Sequence, residues 1–238
     1  MSRRGQLAIA AAAMIALLSG AAGVLLTAEH RPSATFSDAV HDRRQHEAAI
    51  LFSGDAGFLG IGPTIARAVE RIGLPVYGIS SLAEFHDRRT IAQTVAIVDA
   101  AVRTARVKFA ADRILIIGHS FGADIIGVAL PDLAPDVRTS LAGVVLITPT
   151  NSVYLRADPT GLSYRGPPDA ALSRVQSSKL PLLCIQGREE TDSLCPQLHG
   201  ANVTVTVLPG GHGLHHDVAR LAAALKAGTA PMLRPVRG

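Results

Sequence analysis

The sequence predicts a doubly wound α/β domain on a mostly parallel sheet of about six strands, with helices on both faces and a small lid loop. Three observations carry this. Short apolar runs alternate with segments of helical spacing from residue 48 onward. One of those runs, Arg113 to Ile117, is β-branched and apolar on both faces, as a central parallel strand must be. A glycine-bounded serine, Gly118-His119-Ser120-Phe121-Gly122, falls between that strand and the next helix. In order, Ala48–Phe52 reads as a strand followed by a glycine-rich turn, and Pro63–Ile72 as a helix with proline in its first turn. Leu74–Ile79 is a strand. Thr90–Val107 is a long helix with Ile91, Val95, Val98 and Val102 on one face. Phe121–Leu130 is a helix stopped by Pro131, while Leu141–Ile147, Leu180–Ile185 and Val203–Leu208 are strands, and Val218–Lys226 closes the chain as a helix. Repeated strand–helix alternation implies right-handed crossovers and a parallel sheet. Pro149–Ser178 lacks periodicity and is rich in proline and glycine, so it is expected as the lid or a long surface loop.

The 238 residues suit one domain with a short appendage. Met1-Ser2-Arg3-Arg4 followed by an uncharged apolar run from Leu7 to Ala28 has the form of a signal peptide or N-terminal membrane anchor over residues 1–28. Residues 29–47 then read as a polar linker, and residues 48–238 as the folded domain. The two arginines would stay on the cytoplasmic side while the body crosses, which predicts a periplasmic location. The formal charge of +4 falls to +2 without Arg3 and Arg4, and the body holds no basic block, so nucleic acid is not an expected partner. A membrane surface suits the mild positive balance. Cys184 and Cys195 are the only cysteines, and an even count in an exported chain predicts a disulfide between them.

A Gly-x-Ser-x-Gly match arises by chance with a probability of about one in eight in a chain of this composition, so context decides its meaning. Between a central strand and a helix it reads as the nucleophile turn of an α/β-hydrolase-like fold, with Ser120 as the expected nucleophile; the alternative is a connecting turn, or one holding a phosphate, although the Gly-Lys-Ser/Thr ending of a phosphate loop is lacking. A serine hydroxyl needs a histidine to take its proton and a carboxylate to orient that histidine, in the chain order Ser, acid, His. His212, in Pro209-Gly210-Gly211-His212 after the last strand, is the expected base, with His215 in reserve. A metal reading of His212, His215, His216 and Asp217 fits no closed zinc spacing, and neither metal nor cofactor is expected. The acid should follow the penultimate strand, where Glu189, Glu190 and Asp192 compete and spacing does not separate them. The oxyanion needs two backbone N–H donors: Phe121, after the nucleophile, and Asp55 or Ala56 in the turn after the first strand.

Phe52-Ser53-Gly54-Asp55-Ala56-Gly57-Phe58, Ser120-Phe121-Gly122-Ala123-Asp124, Asp192-Ser193-Leu194-Cys195-Pro196 and Pro209-Gly210-Gly211-His212 together resemble the bacterial VirJ/AcvB family. The resemblance implies an α/β-hydrolase fold, a periplasmic setting and an association with type IV secretion and virulence. Position by position, it implies Ser120 as nucleophile, Asp192 as acid and His212 as base. The expected activity is hydrolysis of a carboxylic ester through an acyl-enzyme. The resemblance points to an aminoacyl-phospholipid such as lysyl-phosphatidylglycerol, whose ammonium could pair with Asp55 or Asp124. The alternatives are a non-catalytic periplasmic binding or escort protein with secretion-system partners, and a general esterase or lipase acting on another lipid or small ester.

Overall fold

The computed structural model describes residues 33–36, 46–165, 168 and 171–233; the expected export segment lies outside them. Strands β1 (Ser33–Thr35), β2 (Glu47–Phe52), β3 (Val76–Ile79), β4 (Arg113–His119), β5 (Leu141–Ile147), β6 (Leu182–Gly187) and β7 (Val203–Leu208) form one sheet in the order β1-β3-β2-β4-β5-β6-β7. Every neighbouring pair is parallel except β1, which runs antiparallel to β3. Helices α1 (Gly62–Glu70) and α7 (Val218–Thr229) cover one face, and α3 (Ile91–Phe109), α4 (Phe121–Ala129) and α6 (Ala171–Ser177) the other. Two short helices, α2 (Ser81–Glu84) and α5 (Pro135–Ser140), complete the connections. Among the described residues, no helix is long and apolar enough to cross a membrane.

The period of two in a strand explains how one sequence feeds two cores. In β4, Ile114 and Ile116 pack toward α3 and α4, while Leu115 and Ile117 pack toward α1 and α7. All four are fully buried, and each such side chain contributes about 1.5–3 kcal/mol relative to exposure. Helix α3 begins at a capping box: Gln93 N–H donates to Thr90 Oγ1 at 3.2 Å, and Thr90 N–H donates to Gln93 Oε1 at 2.9 Å. It ends at Ala110 in the left-handed region, φ 49°. Chain order reverses at β2, with β3 on one side and β4 on the other, so the crevice beyond the carboxyl ends of β2 and β4 is the topological switch point.

Two expectations need correction. The 29–47 segment is not linker throughout, because it supplies edge strand β1, and Glu47 already belongs to β2. The Pro149–Ser178 stretch is not all loop. It ends in α6, which packs on α4 so closely that a Cβ on Gly127 would meet Val175 Cγ2 at 2.6 Å.

Candidate active site

Ser120 sits where β4 turns into α4, with φ 53° and ψ −125°. A non-glycine residue at positive φ costs of order 1–3 kcal/mol and persists only where the surroundings enforce it. Both flanking glycines do so. A Cβ on Gly118 would overlap the Gly122 carbonyl and the Ala123 amide, and one on Gly122 would overlap the carbonyl oxygens of Phe52 and Ser53. The helix can therefore start tight against the end of β2. Ser120 N–H donates to Ile147 O at 2.9 Å, and Ser120 O accepts from Ala123 N–H at 2.8 Å and Asp124 N–H at 3.1 Å. Although Ser120 occupies the N-cap position, its hydroxyl does not cap the helix, and the residue is half-buried. Phe121 N–H, in the first turn, lies at the positive end of the helix dipole.

The turn after β2 closes onto this elbow. Gly57 N–H donates to Gly54 O at 3.1 Å, and Ser81 clamps Ser53 through N–H to Oγ at 2.9 Å and Oγ to O at 2.6 Å. A Cβ on Gly54 would lie 3.2 Å from His119 Nδ1 and 3.6 Å from Ser120 Cβ, so this turn touches the nucleophile residue itself. Asp55 and Ala56 follow directly and are half-buried. The expected oxyanion segment and the expected nucleophile thus occupy one site.

His212 arrives from the loop after β7. The loops after β6 and β7 are zipped together: Arg188 N–H donates to Leu208 O at 2.8 Å and Glu189 N–H to Gly210 O at 3.1 Å. The turn from Gly187 to Glu190, closed at 3.2 Å, brings the Glu190 carboxylate under the imidazole. His212 Nδ1 and Glu190 Oε1 are 2.6 Å apart, with the glutamate side chain 9% exposed and the histidine side chain 47% exposed. The hydrogen bond to Glu190, opposed by partial burial and aided by the charges of Glu190, Asp124 and Asp55, raises the His212 pKa above the ordinary histidine value. The expected pairing with Asp192 is not what the geometry provides. Asp192 Oδ1 instead accepts from Asn151 Nδ2 at 2.9 Å, and Ser193 bridges to Thr150. Two residues beyond Glu190, the chain has already turned toward the lid.

His119, the residue before Ser120, is buried beside His212. Its ring centroid lies 5.3 Å from that of His212, with the planes tilted by 53°. Burial, and then repulsion from His212, hold its pKa down at about 3, so it is neutral at physiological pH. No hydrogen bond joins Ser120 Oγ to His212 among the described residues; such bonds commonly tighten only when substrate binds. The reserve histidine, His215, is exposed and lies against Gly210, with His216 exposed beside it. Among the described residues, no group of three His, Cys, Asp or Glu side chains could hold a metal ion.

Several contacts around the site escaped the sequence reading. Asp124, in the first turn of α4, is buried and accepts from Thr150 N–H at 2.8 Å and Thr150 Oγ1 at 2.9 Å. Burial pushes its pKa up to about 7 against the lowering effect of those bonds. With both oxygens engaged, Asp124 anchors the lid and is not placed to receive a substrate ammonium. Tyr164 O–H donates to Asp55 Oδ2 at 3.2 Å, its ring stacks on Tyr154 with centroids 5.2 Å apart, and burial first among its causes raises its pKa to about 12. The lid thereby latches onto the oxyanion turn. The expected disulfide joins Cys184 of β6 to Cys195, Cα atoms 5.5 Å apart, and encloses the loop that carries Glu190 and Asp192.

Residues 46–230 match the family model described as bacterial virulence protein (VirJ). Among curated proteins, none matches the chain. Among solved structures, the chain is similar to Est1E from Butyrivibrio proteoclasticus with ferulic acid bound, at 14% identity and a TM-score of 0.60, covering 82% of this chain and 93% of that one. It is also similar to an α/β serine hydrolase without a lid from Xanthomonas campestris, at 17% identity and a TM-score of 0.54, covering 87% and 98%. A third similar structure is the esterase domain of a Rhodothermus marinus protein, at 15% identity and a TM-score of 0.55, covering 83% and 96%. At these identities the likeness carries the fold: the chain is an α/β-hydrolase-like domain.

Proposed function

We infer that this chain, which belongs to the VirJ family of bacterial virulence proteins, is a serine hydrolase of carboxylic esters. One observation carries the reading: a strained, uncapped serine at the switch point faces a loop whose histidine is buttressed by a carboxylate at 2.6 Å. In this mechanism Ser120 Oγ attacks the ester carbonyl carbon as His212 Nε2 takes its proton. Glu190 holds Nδ1–H and stabilises the imidazolium. The oxyanion is received by Phe121 N–H and an N–H of the Asp55–Ala56 turn, each such donor being worth about 3–4 kcal/mol in the transition state. Collapse expels the alcohol, which takes the proton from His212 and leaves an acyl-enzyme. Water, activated by the same imidazole, then attacks the acyl carbon and releases the acid and free Ser120.

The finer proposal is an aminoacyl-phospholipid substrate such as lysyl-phosphatidylglycerol, met in the periplasm. The family resemblance supports it, and so does the half-exposed Asp55 carboxylate, close enough to His212 to raise its pKa and able to pair with an ammonium on the acyl group. A fluorophosphonate probe should label the wild type and not Ser120→Ala, and purified protein should release lysine from lysyl-phosphatidylglycerol. Unlabelled wild type would remove the serine mechanism. Cleavage of simple esters with the lipid left intact would remove the aminoacyl-phospholipid and leave a general esterase. The lack of a hydrogen bond between Ser120 Oγ and His212 among the described residues favours a second reading, a binding or escort protein for secretion substrates that performs no chemistry. Full complementation of a deletion strain by Ser120→Ala would establish it.

A further inference from the structure

The direction of β1 has a consequence for how the domain stands relative to a membrane. Because β1 is antiparallel to β3, Ser33 pairs with Ile79, at the carboxyl end of β3. The chain therefore enters the sheet at the same edge that carries Ser53, Ser120 and the catalytic loops. In the sequence, the apolar run ends at Ala28, five steps before Ser33. Even fully extended, five residues span at most about 18 Å. A run of this length held in a bilayer would keep Ser33, at that edge of the sheet, within that distance of the lipid surface.

That edge also carries the right chemistry. Leu59, just past the oxyanion turn, is 49% exposed, and Leu162, on the lid, is 74% exposed. Their loops are joined by the Tyr164–Asp55 hydrogen bond, which brings the two segments that carry these leucines together at that edge. Exposed Arg156 and Arg165 belong to the same lid segment. Among the described residues, the other exposed large apolar side chains lie elsewhere: Val205 and Val207 on edge strand β7, Leu172 on α6, and Val107 near the end of α3, where the chain turns back to the amino end of β4. Apolar tips flanked by arginines are the pattern of an interfacial contact, in which the tips enter the acyl boundary and the cations stay among anionic headgroups.

We propose that the catalytic edge docks on the surface of an anionic phospholipid bilayer through Leu59 and Leu162, with Arg156 and Arg165 at headgroup depth and β1 setting the orientation. The docking stands apart from the hydrolytic reading, and either can fail without the other. The chain contains no tryptophan, so a single introduced one reports without background. Leu59→Trp, Leu162→Trp and Val107→Trp are made in the full chain and reconstituted into vesicles of phosphatidylglycerol and phosphatidylcholine with brominated acyl chains. Thermal melts establish that each variant is folded. The probes at 59 and 162 should be blue-shifted and quenched at least about twofold more than the probe at 107, as tips at the acyl boundary require. In the Leu162→Trp protein, changing Arg156 or Arg165 to Gln should lower the docked-to-undocked ratio about fivefold per arginine. Stronger quenching at 107, or equal emission from all three, would overturn the orientation. Docking indifferent to both arginine changes would overturn the anionic surface. Loss of ester hydrolysis with these fluorescence results unchanged would count against the hydrolase alone.

Discussion

Replacing Glu190 with Gln removes the charge under His212 while keeping the shape of the side chain. At an effective dielectric of about 20 and a charge separation of about 4 Å, a carboxylate stabilises an imidazolium by about 4 kcal/mol. The histidine side chain is 47% exposed, so solvent screening reduces this to about 2 kcal/mol, or roughly thirtyfold in rate. The amide can also present its NH2 to Nδ1, which favours the wrong tautomer and adds a further loss. We therefore expect kcat for a short-chain p-nitrophenyl ester to fall by about 10²–10³ in Glu190→Gln. Because Glu190 raises the His212 pKa, the acidic limb of the kcat/KM profile should also move to lower pH in the variant. Asp192→Asn, which touches only the Asn151 contact, should retain activity within a few-fold. Stopped-flow or steady-state assays across pH 5–9 measure all three outcomes. A Glu190→Gln enzyme near wild-type rate, with Asp192→Asn the crippled one, would refute the assignment of the acid.

Three further outcomes follow from the structure. Gly122→Ala drives a methyl into the Phe52 and Ser53 carbonyl oxygens and should cost about 1–3 kcal/mol by urea titration, with activity falling as the elbow shifts. Asp124 keeps its proton to about pH 7 in the fold but loses it near pH 4 when unfolded. Between those values the unfolded state holds fewer protons, so stability should decline as pH rises, and Asp124→Asn, which can still pair with Thr150, should flatten that decline in melts from pH 4.5 to 7.5. Cys184→Ser with Cys195→Ser frees a short loop and should lower stability by about 3 kcal/mol on the chain-entropy account. Its effect on kcat should exceed that of a comparable destabilisation elsewhere, because the loop holds Glu190.

Much of the fold was legible because its elements are long and regular. The paired apolar faces of Arg113–Ile117 announced a central strand, and β5 and β7 begin and end where the sequence placed them. The tight turn at Ser120 was readable from its glycines between strand and helix. Edge strand β1 was not, since three residues cannot display an alternation. Helix α6 was obscured by the proline- and glycine-rich stretch before it. The carboxylate that pairs with His212 was illegible for a different reason: Glu189, Glu190 and Asp192 fall within four positions, and only the hydrogen bonds zipping the two loops decide which one turns inward. Asp124 reads as an ordinary first-turn acid, and nothing local announces Thr150, 26 residues away, as its partner.

That zipper also divides the machinery into two bodies. The loops that carry Glu190 and His212 are fastened to each other by main-chain bonds at one flank of the sheet, whereas Ser120 is held by its own helix at the centre. The Glu190–His212 pair thus rests on β6 and β7 while Ser120 rests on β4, so two separate supports define the site.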